Sequence, residues 1–210
     1  MGASDGGAFV LGVLGSPRRR SNTGLLLERA LAGAAAAGAE TELIALRELD
    51  YASCRHCGGC DKTGRCVVPD AIQQVHEKLR AANHLLLASP IQFSGVSGET
   101  KSMIDRAQAF WVATYRLKQP VSAVTGERRG LFLATCGGGD TRVFDWAKHT
   151  VKAFFNSLGV RYWDELLEPN TDTPPPMAER SDILAKAEAL GRRIVTGDES
   201  AGPGGQAPDA

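Results

Sequence analysis

The sequence predicts one α/β domain built on a five-stranded parallel sheet with helices on both faces. Three observations carry this expectation. Short apolar runs alternate five times with segments of helical periodicity. The runs are apolar throughout instead of alternating, as strands covered on both faces are. The chain, 210 residues long, has the length of one domain with a sizeable core.

Residues 8–15 (AFVLGVLG) form the first strand. Residues 23–37 bring Leu26, Leu27, Ala30, Leu31 and Ala34 onto one helical stripe, with Asn22 or Thr23 as N-cap and Gly38 as stop. A second strand fits 40–46. Beyond a cysteine-rich loop, Asp70 is expected to cap a helix with Ile72, Val75, Leu79 and Ala82 on its apolar face. The run HLLLASP (84–90) reads as a central strand. The next helix, 98–113, aligns Met103, Ile104, Ala107, Phe110 and Trp111. GLFLAT (130–135) is the fourth strand. A helix over 141–158 follows, carrying Val143, Ala147, Val151, Phe154 and Leu158 and ended by Gly159. The fifth strand, 160–167, leads to Pro174, Pro175 and Pro176, which neither helix nor inner strand accepts. A last helix spans 178–195, and a disordered tail is expected from Gly197.

Composition narrows the function. Hydrophobic residues at 43% and charged residues at 23% suit a soluble globule. Lys+Arg and Asp+Glu both number 24, so neither nucleic acid nor a strongly charged carrier surface is indicated. The opening MGASDGGAFV lacks the pattern of a signal peptide, and no apolar run reaches the length of a membrane span. The expected compartment is the cytoplasm.

In parallel α/β sheets ligands bind beyond the carboxyl ends of the strands, where strand order reverses. The loop after strand one, GSPRRRSNT (Gly15–Thr23), runs straight into a helix, whose free N–H groups and positive dipole end suit a phosphate. It lacks both GxGxxG and GxxxxGK[ST], which favours a phosphate monoester over a dinucleotide or nucleoside triphosphate. The competing reading is that Ser, Asn and Thr only cap the helix while Arg18, Arg19 and Arg20 form a solvated patch.

With this loop, SPIQFSGVSGETKSMIDR (Ser89–Arg106) and TCGGGD (Thr135–Asp140) resemble the NADPH-dependent FMN reductase group of flavodoxin-like proteins, from about residue 8 to 168. The resemblance implies the strand order 2-1-3-4-5 and bound FMN. It assigns the phosphate to Ser16, Arg18, Ser21, Asn22 and Thr23. Pro90, Ile91, Gln92 and Phe93 would follow the isoalloxazine edge. Thr135, Cys136, Gly137, Gly138, Gly139 and Asp140 would approach the ring's other side, the glycines letting backbone N–H groups come close to it. One departure is Gln92, where relatives often carry an aromatic residue.

Four of the five cysteines, Cys54, Cys57, Cys60 and Cys66, crowd one loop, CRHCGGCDKTGRC. In a reducing compartment such crowding points to metal or redox chemistry. The C-x2-C-x2-C spacing is that of iron–sulfur sites, while zinc knuckles stand further apart. Zinc, and thiols that are unliganded or oxidised, remain the alternatives. The spacing also resembles that of the iron–sulfur flavoproteins, which implies a 4Fe–4S cluster on these four thiolates. His56 reads as a polar neighbour of the motif and Cys136 as a packing residue; His76, His84 and His149 read as structural or solvated.

The function expected is an FMN oxidoreductase that joins two-electron flavin chemistry to one-electron transfer through the cluster, with no side chain needed as acid or base. A cluster-free NAD(P)H-linked reductase and a pure electron carrier are the alternatives. NAD(P)H is a possible donor, which Arg18–Arg20 could recruit, and a small molecule or redox protein completes the exchange. A homodimer or a dimer of dimers is expected, with Phe110 and Trp111 at its interface.

Overall fold

A computed structural model describes residues 7–198. In chain order the elements are β1 (Phe9–Leu14), α1 (Asn22–Ala36), β2 (Glu40–Ala45), α2 (Ile72–Ala81), β3 (His84–Gln92) and β4 (Gly95–Val96). There follow α3 (Gly98–Arg106), α4 (Gln108–Trp111), β5 (Arg129–Thr135), α5 (Val143–Ser157), β6 (Arg161–Glu168) and α6 (Ser181–Thr196). Parallel strands in the order β2-β1-β3-β5-β6 form the sheet, the order expected, so the switch point lies between β1 and β3. Of the tail expected from Gly197, Gly197 itself closes α6 with φ +76°, and residues beyond Asp198 lie outside the described residues. No helix among the described residues is long and apolar enough to cross a membrane.

Both faces of the sheet are dry, which explains why its central strands read as unbroken apolar runs. Val10, Leu14, Leu86, Ala88, Leu131 and Leu133 pack under α1 and α6. Their alternates Leu11, Val13, Leu85, Leu87, Phe132 and Ala134 face α2, α3, α4 and α5. On the first face α1 and α6 touch backbone to backbone. A Cβ on Gly191 would fall 1.7 Å from the Ala30 carbonyl oxygen, and one on Gly33 would fall 1.9 Å from that of Glu188. No side chain fits at either position.

The structure revises several boundaries. The cap of α1 is Ser21, whose Oγ accepts from the Gly24 amide at 3.0 Å; Asn22 and Thr23 already lie inside the helix. Asp70 sits one residue further out than a cap of α2, and its Oδ1 accepts from the Ile72 amide at 3.2 Å. The helix expected over 98–113 breaks at Ala107, where the Ala107 amide bonds Ile104 at i−3, and it ends in a π turn at Val112–Arg116. Strand β3 continues to Gln92 and folds back through Phe93 and Ser94 (φ +48° and +62°) to pair with β4. Two consecutive left-handed residues are what a tight hairpin turn requires, and neither is the glycine that sequence rules look for.

One buried hydroxyl ties these parts together. Ser97, fully buried at the start of α3, donates through Oγ to the Gly15 carbonyl at 2.5 Å. Its single hydrogen is thereby used, so the Thr100 hydroxyl at 2.9 Å and the Thr100 amide at 3.2 Å both donate to Ser97 Oγ. The Ser97 amide donates to Ser89 Oγ at 2.9 Å. The roots of the loops after β1 and β3 and the start of α3 thus share one polar knot. Ser97→Ala leaves the Gly15 carbonyl without its partner, so a loss of about 1–3 kcal/mol is expected in denaturant unfolding; a midpoint equal to wild type would contradict this.

Two histidines are buried as neutral rings. His76 on α2 lies against Phe110 with ring centroids 4.6 Å apart, and neither nitrogen has a hydrogen-bond partner among the described residues. His84 Nδ1 accepts from the Arg129 amide at 3.2 Å. Burial first, then nearby guanidinium groups, depresses both pKa values from 6.5 to about 4. The unfolded chain therefore binds more protons between these values, and stability present above pH 6.5 is lost as pH falls toward 4, on the order of 2–3 kcal/mol per histidine. His76→Leu should shrink the stability difference measured between about pH 7.5 and 4.5 by that share; a difference equal to wild type would refute it.

Candidate functional site

Beyond the carboxyl ends of β1, β3 and β5 lies a cleft of about 240 Å³. Its first wall is the loop before α1, with Ser16, Arg18, Ser21, Asn22 and Thr23. Pro90, Ile91 and Gln92 form the second wall, and Thr135, Cys136 and Gly137 the third. Three loops far apart in sequence therefore converge because their strands are neighbours in the sheet.

The α1 end of the cleft combines free backbone donors with positive charge. Ser21 takes the Gly24 amide through its hydroxyl and the Leu25 amide through its carbonyl. Within the described residues the Asn22 and Thr23 amides have no acceptor, and the first turn of α1 carries no acidic residue. Arg18 and Arg20 also line the cleft with exposed guanidinium groups. Ser16, buried, accepts the Arg18 amide at 3.3 Å and so shapes the loop.

Four expected residues stand outside the lining. Phe93 projects fully into solvent from the hairpin turn. Asp140 is occupied by Arg142, accepting its amide and guanidinium nitrogens at 2.8–3.0 Å. The Gly138 carbonyl turns away to accept the Asn170 amide at 3.0 Å, and a Cβ on Gly139 would meet the Asn170 side chain at 2.9 Å. Gly137 does line the cleft, yet its lack of a side chain serves a neighbour: a Cβ there would lie 2.1 Å from Asp172 Oδ2. Cys136 behaves as the expected packing residue, with its Sγ donating to the Gly138 carbonyl at 3.2 Å and burial pushing its thiol pKa up.

Sequence reasoning did not place Pro17, Arg20, Thr171 and Asp172 in this cleft; for Arg20 it offered only a solvated patch or the recruitment of NAD(P)H. Thr171 and Asp172 belong to the loop after β6. That loop leaves the same edge of the sheet, and this was the signal available. Thr171 is tied to the Cys136 carbonyl through its amide at 3.0 Å and its hydroxyl at 3.1 Å.

A second cavity, of about 380 Å³, is lined by Cys54, Cys57, Cys60 and Cys66 together. Trp111, Val67 and Ala109 supply apolar wall, and Arg106 and Arg116 supply charge. The loop wraps through left-handed backbone at His56 (φ +52°), Gly58 (φ +70°) and Gly64 (φ +64°), and the Gly64 amide donates to the Cys60 carbonyl at 2.8 Å. All four thiols are free. Burial raises the Cys60 pKa. No three His, Cys, Asp or Glu side chains among the described residues are gathered around a single-ion site. Four cysteines nevertheless line one cavity beside a buried guanidinium, so the donor chemistry, though not a gathered geometry, fits a thiolate-held group.

Arg106 fastens this loop. It is 2% exposed and ends α3, with Nη1 donating to Asp70 Oδ2 at 2.6 Å and to the Ala52 carbonyl at 2.8 Å. Nη2 donates to Asp70 Oδ1 at 3.0 Å and approaches Cys66 Sγ at 3.2 Å. Burial favours neutral groups, yet these bonds outweigh it: the Asp70 carboxyl is held below its ordinary range and Arg106 above its own.

Phe110 is fully buried under His76 and cannot serve an interface, whereas Trp111 and Tyr115 are exposed with ring centroids 5.7 Å apart. His56 lines the cysteine cavity, and His149 Nδ1 lies 2.8 Å from the Asp145 carbonyl on its own helix.

Comparison with known proteins bears on the family and the fold. An iron–sulfur flavoprotein of Methanocaldococcus jannaschii is 35% identical over 124 residues, 58% of this chain and 64% of that protein. One from Methanosarcina thermophila is 31% identical over 124 residues, covering 58% and 65%. The matched region thus spans just under two thirds of these relatives' lengths. In structure, an NAD(P)H:quinone oxidoreductase from Methanothermobacter marburgensis superimposes with a TM-score of 0.67 at 17% identity, over 90% of this chain and 97% of that one. This likeness establishes the flavodoxin-like fold. The family profile described as NADPH-dependent FMN reductase matches residues 9–163, and with its fold and convergent loops the chain belongs to that family.

Proposed function

We propose that the chain is an FMN-dependent oxidoreductase in which Cys54, Cys57, Cys60 and Cys66 hold a 4Fe–4S cluster close to the flavin. The observation that carries this reading is the pair of cavities, one beside the phosphate-type loop and the other lined by all four cysteines. The names of the curated relatives point the same way. When bound, FMN would supply two-electron chemistry and the cluster one-electron steps.

The chain's own residues bind and orient. The Asn22 and Thr23 amides, Arg18 and Arg20 receive the phosphate, helped by the α1 dipole. Pro90 and Ile91 offer apolar wall to a flat ring, while Gln92 offers an amide in place of an aromatic face. Trp111 and Val67 supply apolar wall beside the thiols, and Arg106 offsets thiolate charge. NAD(P)H is the proposed donor, and a second copy of the chain docking over Trp111 and Tyr115 is the proposed assembly. A cluster-free reductase is the second reading, and the ungathered thiols favour it.

Anaerobically prepared protein should release FMN rather than FAD and contain iron and acid-labile sulfide. Cys57→Ser should lose the iron and keep the flavin, because Cys57 stands apart from the cleft. Wild type without iron after reconstitution would leave the cluster-free reductase.

Arg18→Ala should weaken FMN binding about fivefold, the equivalent of ~1 kcal/mol for an exposed charge on a phosphate. Riboflavin, which lacks the phosphate, should bind wild type and variant alike. Titration by flavin fluorescence quenching reads both, and an equal loss for the two ligands would remove Arg18 from the phosphate site.

A further inference from the structure

We propose that Arg106 is a positioning residue of the cysteine site: fixed by Asp70, it donates an N–H to the Cys66 sulfur, holds that ligand in place, and raises the reduction potential of the group the thiols bind. The inference rests on the cluster reading above. Cys66 is the only one of the four whose sulfur has a charged side-chain donor among the described residues; Cys54 Sγ has only the His56 amide at 3.4 Å.

The geometry leaves the guanidinium little freedom. Both Asp70 oxygens lie within 3.0 Å, the Ala52 carbonyl holds Nη1, and the side chain is 2% exposed. The fork's Nη atoms serve four acceptors at once, two carboxylate oxygens, the Ala52 carbonyl and the Cys66 sulfur, one more than the three N–H donors of an ammonium can reach. Hydrogen bonds to ligand sulfur and low solvent exposure are among the factors that set the potentials of iron–sulfur sites, and a fixed cation next to a thiolate favours the more negative, reduced state. The placement also couples the two cavities. Arg106 is the last residue of α3, whose N-cap, Ser97, is bonded to Gly15 at the root of the phosphate loop. Nine residues of helix, about 13 Å, separate the two fastenings.

The test is a reductive titration of anaerobically prepared FMN-containing wild type, Arg106→Gln and Arg106→Lys, with iron, sulfide and FMN counted in each. The expected result is unchanged FMN content and a more negative midpoint in both variants. At a fixed poise near the wild-type midpoint, Arg106→Gln should show a reduced-to-oxidised ratio about tenfold lower, equivalent to 59 mV for one electron. Arg106→Lys should shift less in the same direction, and it carries the comparison if the glutamine variant does not fold. Loss of iron from the variants with FMN and thermal midpoint retained also supports the assignment, since Cys66 has then lost its holder. Iron retained at the wild-type potential in the folded variants overturns the role of Arg106 alone. Wild type that binds no iron or sulfide overturns the cluster reading and this inference with it.

Discussion

The Ser97 hydroxyl is the constraint on which the arrangement of both cavities depends. It joins the carbonyl at the end of β1 to the start of α3 and, through the adjoining amide, to Ser89 on β3. These atoms are fully buried or nearly so, so each bond stands in for water that is absent. Gly15 belongs to the same knot, because a Cβ there would fall 1.7 Å from the Thr100 hydroxyl. The switch point of the sheet is thus closed by side chains before any ligand arrives, and the floor of the cleft is rigid while its arginine rim stays in solvent.

Arg106 and Asp70 repeat the theme at the other end of α3. Burying an ion pair offsets much of its own Coulomb attraction through desolvation, so this pair is poor evidence of stability. Its value is positional. The loop from Tyr51 to Val68 lacks helix or strand among the described residues, and the fork draws it against α3 at Ala52, Cys66 and Asp70. Tyr51 adds a bond to the Glu99 carbonyl at 2.7 Å. A segment of this length without regular structure keeps one shape through such long-range side-chain ties.

What the sequence made legible follows from the range of each interaction. Strands buried on both faces write themselves as apolar runs, so the alternation and the strand order were readable from HLLLASP, GLFLAT and their neighbours. Loops that leave strand ends at the switch point could be picked out by position, and the cleft gathers residues from all three. The hairpin at Phe93 and Ser94 was not legible, because neither residue is one that ordinarily marks left-handed backbone. The break at Ala107 is hidden in a good helix former. The Arg106–Asp70 pair spans 36 positions, and Asp172 reaches Gly137 from beyond β6; no local pattern encodes either.

The contact between α1 and α6 bears on how a cofactor would be received. Where two helices meet at Gly33 and Gly191 with carbonyls against Cα atoms, neither can slide or rotate without collision. The helix whose amino end faces the arginine rim is therefore clamped between the sheet and α6. A phosphate bound there as proposed would meet donors that are already oriented, so little reorganisation would count against its affinity. In the proposed phosphate site the ordering cost would then fall mainly on the exposed side chains of Arg18 and Arg20.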